Sequence, residues 1–448
     1  MNYFVNPNLL INPLEGDLFC LINPYLSNGI KIINKNQYII FKQLNKISVE
    51  DILAEHINEK EVLNIFFKSL EKKQFISASG VFDIPKVSKN IHLLDFWIHV
   101  TDSCNLSCQY CSIATKISRN KLNFNNIPNL ISTIIFIVNE LDIQELSLRF
   151  AGGEPMLNFE IIKLIFNNIN KKLPNTCRLK CTILTNLTIL SPKILEFLSV
   201  NQIFISASLD GIGEYHDITR TTCDGRGTFH TVVENIRVLT NKNINVNVNC
   251  VISNRNIDGI PLLIDFLVKN KIRHRLSIVR GEEVNYDKVL AILCQVYKTM
   301  EEYIKNGYKF SQLHRLCDLK LINPTVFTCG AGRNSFVIYT NGDLYACPHL
   351  IGCKDKIIGN IYDRNKLLNI IKKRPSSDNT ISIDCIKCVY RYVCTGGCPI
   401  FRFGGKSIAC KFYKEIIPII YHLLAMERLY EIKKNIANNS LYGDSIQI

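Results

Sequence analysis

Thr101-Asp102-Ser103-Cys104-Asn105-Leu106-Ser107-Cys108-Gln109-Tyr110-Cys111 is the stretch on which the reading turns. The apolar run Phe96–Thr101 leading into it reads as a strand, which puts the loop at a strand's C-terminal end. Its cysteines are spaced CxxxCxxC. Three thiolates on one loop can wrap one face of an iron–sulfur cubane. Four irons with three protein ligands leave one iron open, where a substrate or cofactor can chelate. The plainer alternatives are a zinc site short of one ligand or three buried thiols.

Outward from this loop, apolar strands alternate with amphipathic helices. Further strands are predicted at Leu146–Ala151, Leu179–Thr185, Ile203–Leu209, Val246–Ile252 and Arg275–Val279. Helices are predicted over 127–140, 158–171, 191–200, 229–241, 257–270 and 286–304. Such βα alternation implies an α/β fold with a parallel sheet. A sheet of this kind carries its chemistry at the C-terminal ends of its strands.

Other polar stretches follow the predicted strands in order. Ala151-Gly152-Gly153-Glu154-Pro155 follows the second, Leu184-Thr185-Asn186 ends the third, and Ser206-Ala207-Ser208-Leu209-Asp210-Gly211 ends the fourth. His216-Asp217-Ile218-Thr219-Arg220 comes next. Each is weak alone, since a Gly-Gly-Glu-Pro turn is usually only a turn. Together with the cysteine loop they resemble the radical S-adenosylmethionine superfamily, over roughly residues 95–285. The resemblance implies a partial (β/α)6 TIM-type barrel and a [4Fe–4S] cluster on Cys104, Cys108 and Cys111. The open iron would bind S-adenosylmethionine, whose reductive cleavage yields a 5′-deoxyadenosyl radical that abstracts hydrogen from substrate. The cofactor supplies the hard chemistry and the protein positions and shields it. Carried over by position, Gly152 and Gly153 let backbone approach the cofactor and Glu154 accepts from its ammonium group. Asn186, Ser206, Ser208, Asp210 and Arg220 would join the cofactor site, and Tyr110 would meet adenine. No catalytic side chain or general base is readable.

The chain holds 18 cysteines, too many for chance in a cytosolic enzyme and too sparse for a small disulfide scaffold. Nine fall between Cys317 and Cys410. Cys329, Gly342 and Cys347 give CX12GX4C, and Asn341-Gly342 between the runs Ser335–Thr340 and Asp343–Ala346 predicts a hairpin that returns Cys347 to Cys329. Cys385, Cys388, Cys394 and Cys398 give CX2CX5CX3C, with Cys410 beyond. In isolation this could be a zinc site. The whole pattern resembles the SPASM domain of radical enzymes that modify peptides, which implies two auxiliary [4Fe–4S] clusters. Cys385, Cys388, Cys394 and Cys410 would hold the outer one; Cys329, Cys347 and Cys398 the inner. Gly330–Ser335 contains no further thiol. The inner cluster therefore has an open iron or borrows Cys353 or Cys317. Cys20, Cys177, Cys181, Cys223, Cys250 and Cys294 are expected to be structural, and Trp97 to be core.

The N-terminal part has one cysteine in residues 1–95. Phe19–Asn23 and Gly29–Ile33 read as short strands around Ser27-Asn28-Gly29. Ser48, before Val49-Glu50-Asp51, caps one helix, and Asn58 with Glu61 caps a second carrying Val62, Ile65, Phe66 and Leu70 on one face. With Gln74-Phe75-Ile76 closing it, this part resembles a small winged helix-turn-helix; a packing extension is the alternative. It is similar to the PqqD-like, RiPP-recognition-like domain fused to many such maturases, where a leader peptide adds a strand to a small sheet. The expected division is 1–90 for leader recognition, 91–310 for the partial barrel and 311–448 for the auxiliary-cluster domain with a C-terminal helix.

At 47% hydrophobic and 21% charged, the chain is neither disordered nor collagenous. Its formal charge of +14 suits an anionic partner or a solvated basic surface. Nucleic acid is not favoured, because no Lys/Arg block of five occurs. The start has no basic n-region and acquires Glu15, a poor signal peptide. Ile416–Met426 is interrupted by Pro418 and His422 and is too short to span a bilayer, although Ile416–Ile432 reads as a packing helix. A cytoplasmic enzyme with no membrane partner follows, its thiols ligands rather than disulfides. The resemblance implies a precursor peptide with a leader as substrate and an external electron donor such as flavodoxin or ferredoxin. The bond made is open: thioether, carbon–carbon crosslink, epimerisation or excision. The alternatives are side-chain oxidation of a protein, as in sulfatase maturases, small-molecule dehydrogenation, and an iron–sulfur electron-transfer protein.

Overall fold

The computed structural model describes residues 2–86, 90–111, 120–374 and 381–440. A short strand β1 (Phe4–Val5) precedes three antiparallel strands, β2 (Leu10–Pro13), β3 (Leu18–Ile22) and β4 (Ile30–Asn34). Side-chain alternation on β3 sends Leu21 into a small core and Cys20 and Ile22 into the main core. The small core is completed by α1 (Lys35–Gln43), α2 (Val49–Glu55) and α3 (Lys60–Lys72), and β5 (Ile76–Ser77) returns to pair with β1.

Several expectations for this part need correction. β2 and α1 are absent from the sequence reading; α1 starts on a capping box between Asn34 and Gln37. Ser48 does cap α2, accepting from Asp51 N at 3.2 Å. Asn58 caps nothing: it lies in a 3-10 turn, and α3 begins at Lys60 without a side-chain cap. The buried stripe of α3 is Leu63, Phe66, Phe67 and Leu70, while Val62 and Ile65 are 63% and 69% exposed. With apolar residues on both sides of the stripe, sequence periodicity alone could not orient the helix.

The central sheet is parallel from β6 to β11. Its elements run β6 (Leu93–His99), α4 (Ile127–Glu140), β7 (Glu145–Ala151), α5 (Phe159–Lys172), β8 (Arg178–Thr185), α6 (Pro192–Val200) and β9 (Phe204–Ser208). After the single turn α7 (Glu214–Asp217) come α8 (Phe229–Asn241), β10 (Val246–Ile252), α9 (Ile260–Lys269), β11 (Arg273–Ile278) and α10 (Tyr286–Lys305). The six expected strands and six helices are all present within a few residues. The largest helix difference is α9, whose first expected turn is a 3-10 segment, Ile257–Gly259. Leu94, Phe96 and Ile98 of β6 pack into the main core, whereas Asp95, Trp97 and His99 take the other face of the strand.

Two strands from beyond residue 310 join the same sheet. After α11 (Phe310–Leu313), β12 (His314–Leu316) pairs parallel with β11, and β13 (Ser335–Ile338) pairs parallel with β6. The edges of the six-stranded sheet are thereby covered. β14 (Asp343–Tyr345) forms the expected hairpin with β13, with Gly342 at φ +90° in the turn, and β15 (Gly359–Asn360) follows β14. The remaining elements are α12 (Arg364–Lys373), α13 (Ile383–Ile386), α14 (Arg391–Cys394), the ribbon β16 (Arg402–Phe403) and β17 (Lys406–Ser407), and the long α15 (Cys410–Ser440). α15 packs along α10 and also meets α11 and β4. The N-terminal part is docked there: Tyr430 Oη donates to Glu15 at 2.9 Å, and Asn28 N donates to Ile322 O at 3.2 Å. Among the described residues no helix is long and apolar enough to cross a membrane.

Candidate functional site

The loop after β6 brings two of its three thiols under N–H donors. Leu106 N lies 3.4 Å and Asn186 Nδ2 3.9 Å from Cys104 Sγ, and Arg220 Nη1 lies 3.7 Å from Cys108 Sγ. Donors aimed at sulfur favour the thiolate form and orient a metal ligand. Burial opposes them, pushing Cys104 up to about 11 and raising Cys108 against the pull of Arg220. Cys104 and Cys108 each feel Cys111.

Gly152 and Gly153 place β7 directly against this loop. A Cβ on Gly152 would fall 2.3 Å from Thr101 O, and one on Gly153 2.3 Å from Ser103 O. Gly153 N donates to Thr101 O at 2.7 Å and Glu154 N to Ser103 O at 2.8 Å. The close approach these glycines permit is thus to the cysteine loop itself. Glu154 is fully buried; Oε1 accepts from Met156 N (2.9 Å) and Thr185 Oγ1 (2.7 Å), and Oε2 from Asn186 N (2.8 Å). Burial raises its pKa despite these donors. A carboxylate has about four lone-pair sites, so Oε2 retains one. Asn186 Nδ2 also donates to Asn105 Oδ1 at 2.9 Å, tying β8 to the same loop.

Asp210 is also fully buried and is saturated by protein donors. Its Oδ2 accepts from Tyr110 Oη, from Arg220 Nε at 2.6 Å and from Thr219 Oγ1 at 3.2 Å; its Oδ1 accepts from Val251 N at 2.9 Å. Asp210 therefore positions Arg220 and Tyr110, with the Arg220 guanidinium 5.3 Å from the Tyr110 ring centre. The Asp210 amide donates to His216 Nδ1 at 3.2 Å, and His216 Nε2 meets Thr228 Oγ1 at 3.0 Å. Burial lowers His216 to about 4, so it stays neutral. On β9, Ser206 Oγ accepts from Asn249 Nδ2 at 2.5 Å, and Ser208 sits beside Asn249 in register, half-buried.

Residues that the sequence reading missed anchor the loop from below. Asp102 Oδ1 lies 2.8 Å from His99 Nε2, and Asp102 Oδ2 accepts from Tyr339 Oη at 2.7 Å. Only the acidic residue next to the cysteine run hinted at this, because Tyr339 is 237 residues away. Cys223, expected to be structural, is exposed, with Sγ 3.9 Å from Cys104 O. Cys20, Cys177, Cys181 and Cys250 are buried, and Cys294 is partly so. Trp97, expected to be core, is half-buried: it packs against the small cluster of Val337, Tyr345 and Ile351 and also lines a cavity.

The C-terminal cysteines fall into two neighbourhoods. Cys347 feels Cys398 and Cys329, with Arg280 nearby. Cys394 feels Cys410 and Cys385, and Cys410 feels Cys385 and Cys388. Burial pushes Cys347 up to about 11 and Cys394 up to about 12. Among the described residues no three thiols, imidazoles or carboxylates converge on one ion-sized point. Cys317 lines the same cavity as Cys329 and Cys347, with Arg275 Nη2 3.1 Å from its sulfur. Cys353 lies instead toward Tyr345 and Lys356.

Comparison with known proteins bears on the same residues. Residues 98–267 match the profile of the Radical SAM superfamily. The chain is 24% identical over 446 residues to the radical SAM cyclopropyl synthase TigE of Paramaledivibacter caminithermalis, covering 89% of this chain and 90% of that protein. Native anSMEcpe with bound AdoMet and Cp18Cys peptide superposes with a TM-score of 0.63 at 20% identity, over 75% of this chain and 99% of that one. Streptococcus suis SuiB bound to precursor peptide SuiA gives 0.53 at 18% identity, over 90% and 98%. The matched span holds the cysteine loop, the Gly-Gly-Glu turn packed on it, and the Asp210–Arg220–Tyr110 cluster. Over the span that carries this site the chain is thus similar to enzymes of the radical SAM superfamily.

Proposed function

We propose that this enzyme modifies a ribosomally made precursor peptide, using S-adenosylmethionine and one [4Fe–4S] cluster on Cys104, Cys108 and Cys111, with two auxiliary clusters. The cluster and S-adenosylmethionine together supply the hydrogen-abstracting chemistry. The chain's own residues hold and shield them. Glu154 offers its remaining lone pair to an ammonium group, and Arg220, fixed by Asp210, faces the cofactor's carboxylate. Tyr110, its hydroxyl held by Asp210, would meet adenine. Cys385, Cys388, Cys394 and Cys410 hold the outer auxiliary cluster, and Cys329, Cys347 and Cys398 the inner. An external donor such as flavodoxin or ferredoxin supplies electrons.

The observation that carries the peptide reading is the N-terminal unit, residues 1–90 in the proposed division. It pairs a three-stranded sheet with three helices, and β4 is an edge strand of that sheet. Its neighbour α3 presents Val62 and Ile65 to solvent, and Lys31 of β4 lies over the Phe66 ring at 5.8 Å. An extended leader can add to the β4 edge and seat apolar side chains against α3. Likeness to TigE and SuiB covers 89% and 90% of this chain, more than residues 91–448 alone, in keeping with the reading.

The test is co-expression with short peptides encoded beside the gene, followed by mass analysis. A mass change that requires the intact cysteine loop supports the proposal. V62D/I65D should retain iron and the visible spectrum and lose modification of the full-length peptide. Modification at the normal rate by that variant would overturn the leader role. Side-chain oxidation of a folded protein, with no peptide modified, would favour the sulfatase-maturase alternative.

A further inference from the structure

A cavity of about 900 Å3 opens against the sheet face opposite the helices, and its walls are basic. Arg149 of β7, Arg273 and Arg275 of β11, and Arg315 of β12 all line it. The strand register sets this pattern. Arg275 stands opposite Arg315, and Arg273 lies two residues away on the same face. His274, Leu276, His314 and Leu316 alternate to the buried side. Like charges side by side on neighbouring strands repel, so the arrangement calls for anions.

The protein supplies anions to only part of the cluster. Arg149 Nε is 2.9 Å from Asp95 Oδ1. Arg275 reaches Cys317, and Lys320 is grouped with Cys317 and Cys329, where thiolates would offset both. Asp318 accepts from Arg280 with both oxygens at 2.7 Å. Arg273 and Arg315 are exposed to the cavity, and among the described residues neither has an acid within ion-pair reach.

Behind these arginines the sheet is stiffened by a neutral network. His274 Nδ1 donates to Ile272 O at 2.9 Å, which leaves its Nε2 to accept from His314 Nδ1 at 2.9 Å. Tyr297 Oη then donates to His314 Nε2 at 2.9 Å. All three side chains are buried, so β11 and β12 are held in register with no compensating negative charge behind them.

We propose that Arg273 and Arg315 bind a carboxylate of the peptide substrate, so that the segment entering this cavity is acidic. The inference rests on the peptide-modifying reading and deepens it. Guanidinium groups present planar forks that match carboxylates, and the volume suits a few residues of extended chain. The carboxylate belongs either to an Asp or Glu side chain or to the peptide's C-terminus, and the probes below tell the two apart.

The test uses the reconstituted full-length enzyme and three dye-labelled probes, read by fluorescence anisotropy. One probe is a blocked peptide with four glutamates and an amidated end, one is its glutamine counterpart, and one is a glycine peptide with a free C-terminus. A glutamate or free-carboxylate probe should bind, weaken as salt rises, and lose at least tenfold in affinity in R273Q/R315Q. K171Q/K172Q makes the same charge change at exposed positions on α5 and should lose less than twofold. Which carboxylate probe binds identifies the source. Equal binding of the glutamine probe, equal losses in the two variants, or tighter Arg-dependent binding of an oligothymidylate of equal charge would each overturn the proposal. Iron content and visible spectrum establish that the variant is intact. Because the readout is binding, failure to modify any peptide would sink the proposed function separately.

Discussion

The two cysteine-rich regions of this molecule are built in opposite ways. Cys104, Cys108 and Cys111 lie on one short loop, and the barrel clothes that loop. β7 is zipped to it through Gly152 and Gly153, β8 through Asn186, and the segment after β9 through Arg220. The C-terminal thiols are spread from Cys329 to Cys410 and are gathered by the β13–β14 hairpin, α13, α14 and the start of α15. The contrast teaches that the first site is a local motif held by a scaffold. In the second, the fold is what creates the site.

The strongest way to test this separation is to remove the first site alone. C104A/C108A/C111A should abolish cleavage of S-adenosylmethionine while the protein stays folded and brown. On the proposed count of three four-iron clusters, iron should fall by about one third. Cleavage by the triple variant, or loss of all iron, would show that the two regions are not independent.

Within the second region, Cys317→Ala should lower iron by up to about one third and alter the inner cluster's spectrum. The expectation follows from the shared cavity of Cys317, Cys329 and Cys347. Full iron and an unchanged spectrum would instead leave the inner cluster with an open position.

Glu154→Gln probes how tightly the scaffold grips the first loop. The amide keeps the shape but removes the charge and turns a donor toward one of three protein donors. Losing a charge-assisted bond typically costs about 1.5–3 kcal/mol. Affinity for S-adenosylmethionine should therefore fall roughly 10- to 150-fold with iron retained. Unchanged affinity would make Glu154 a purely structural strut.

Acid should weaken the scaffold in a defined window. His216 lies behind the first site, and His274 and His314 lie behind the arginine cavity. Burial lowers His216 and His274 to about 4, and lowers His314 as well. The unfolded chain, with ordinary imidazoles near 6.5, binds more protons below that pH. Stability is thus level above about pH 6.5 and falls below it, by up to about 1.4 kcal/mol per pH unit for each histidine. Thermal unfolding of the apoprotein between pH 7.5 and 5 would show the decline, and a flat midpoint would contradict it.

The smallest effect is expected at Cys353, which lies toward Tyr345 and Lys356 and does not line the cavity shared by Cys317, Cys329 and Cys347. Cys353→Ala should keep its iron and its spectrum. A lost cluster would move the fourth ligand from Cys317 to Cys353 and redraw the second site.

Deleting the N-terminal unit would be a poorer test than substituting Val62 and Ile65. Cys20 and Ile22 belong to the main core, and Tyr25 stands edge-on to Tyr392 at 4.8 Å. Removing residues 1–85 would bare this surface, so loss of activity would not distinguish leader binding from simple packing.

Where spacing along the chain is itself the structure, the sequence was enough. CxxxCxxC after a strand, a glycine pair after the next, and period-two and period-3.6 apolar patterns depend on residues a few positions apart. They located the cysteine loop, all six parallel strands and the hairpin at Asn341-Gly342. Tertiary structure decided what depends on distant partners. It turned Asp210 inward to hold Arg220 and Tyr110, a role that needs donors from three segments. It set Trp97 beside Val337 at a cavity wall, because β13 joins β6 from beyond residue 310. It rotated α3 so that Leu63 and Phe67 were buried while Val62 and Ile65 were left outside. It also set Arg273, Arg275 and Arg315 side by side, since strand register is fixed by packing on the buried face, and the charges on the opposite face follow from it.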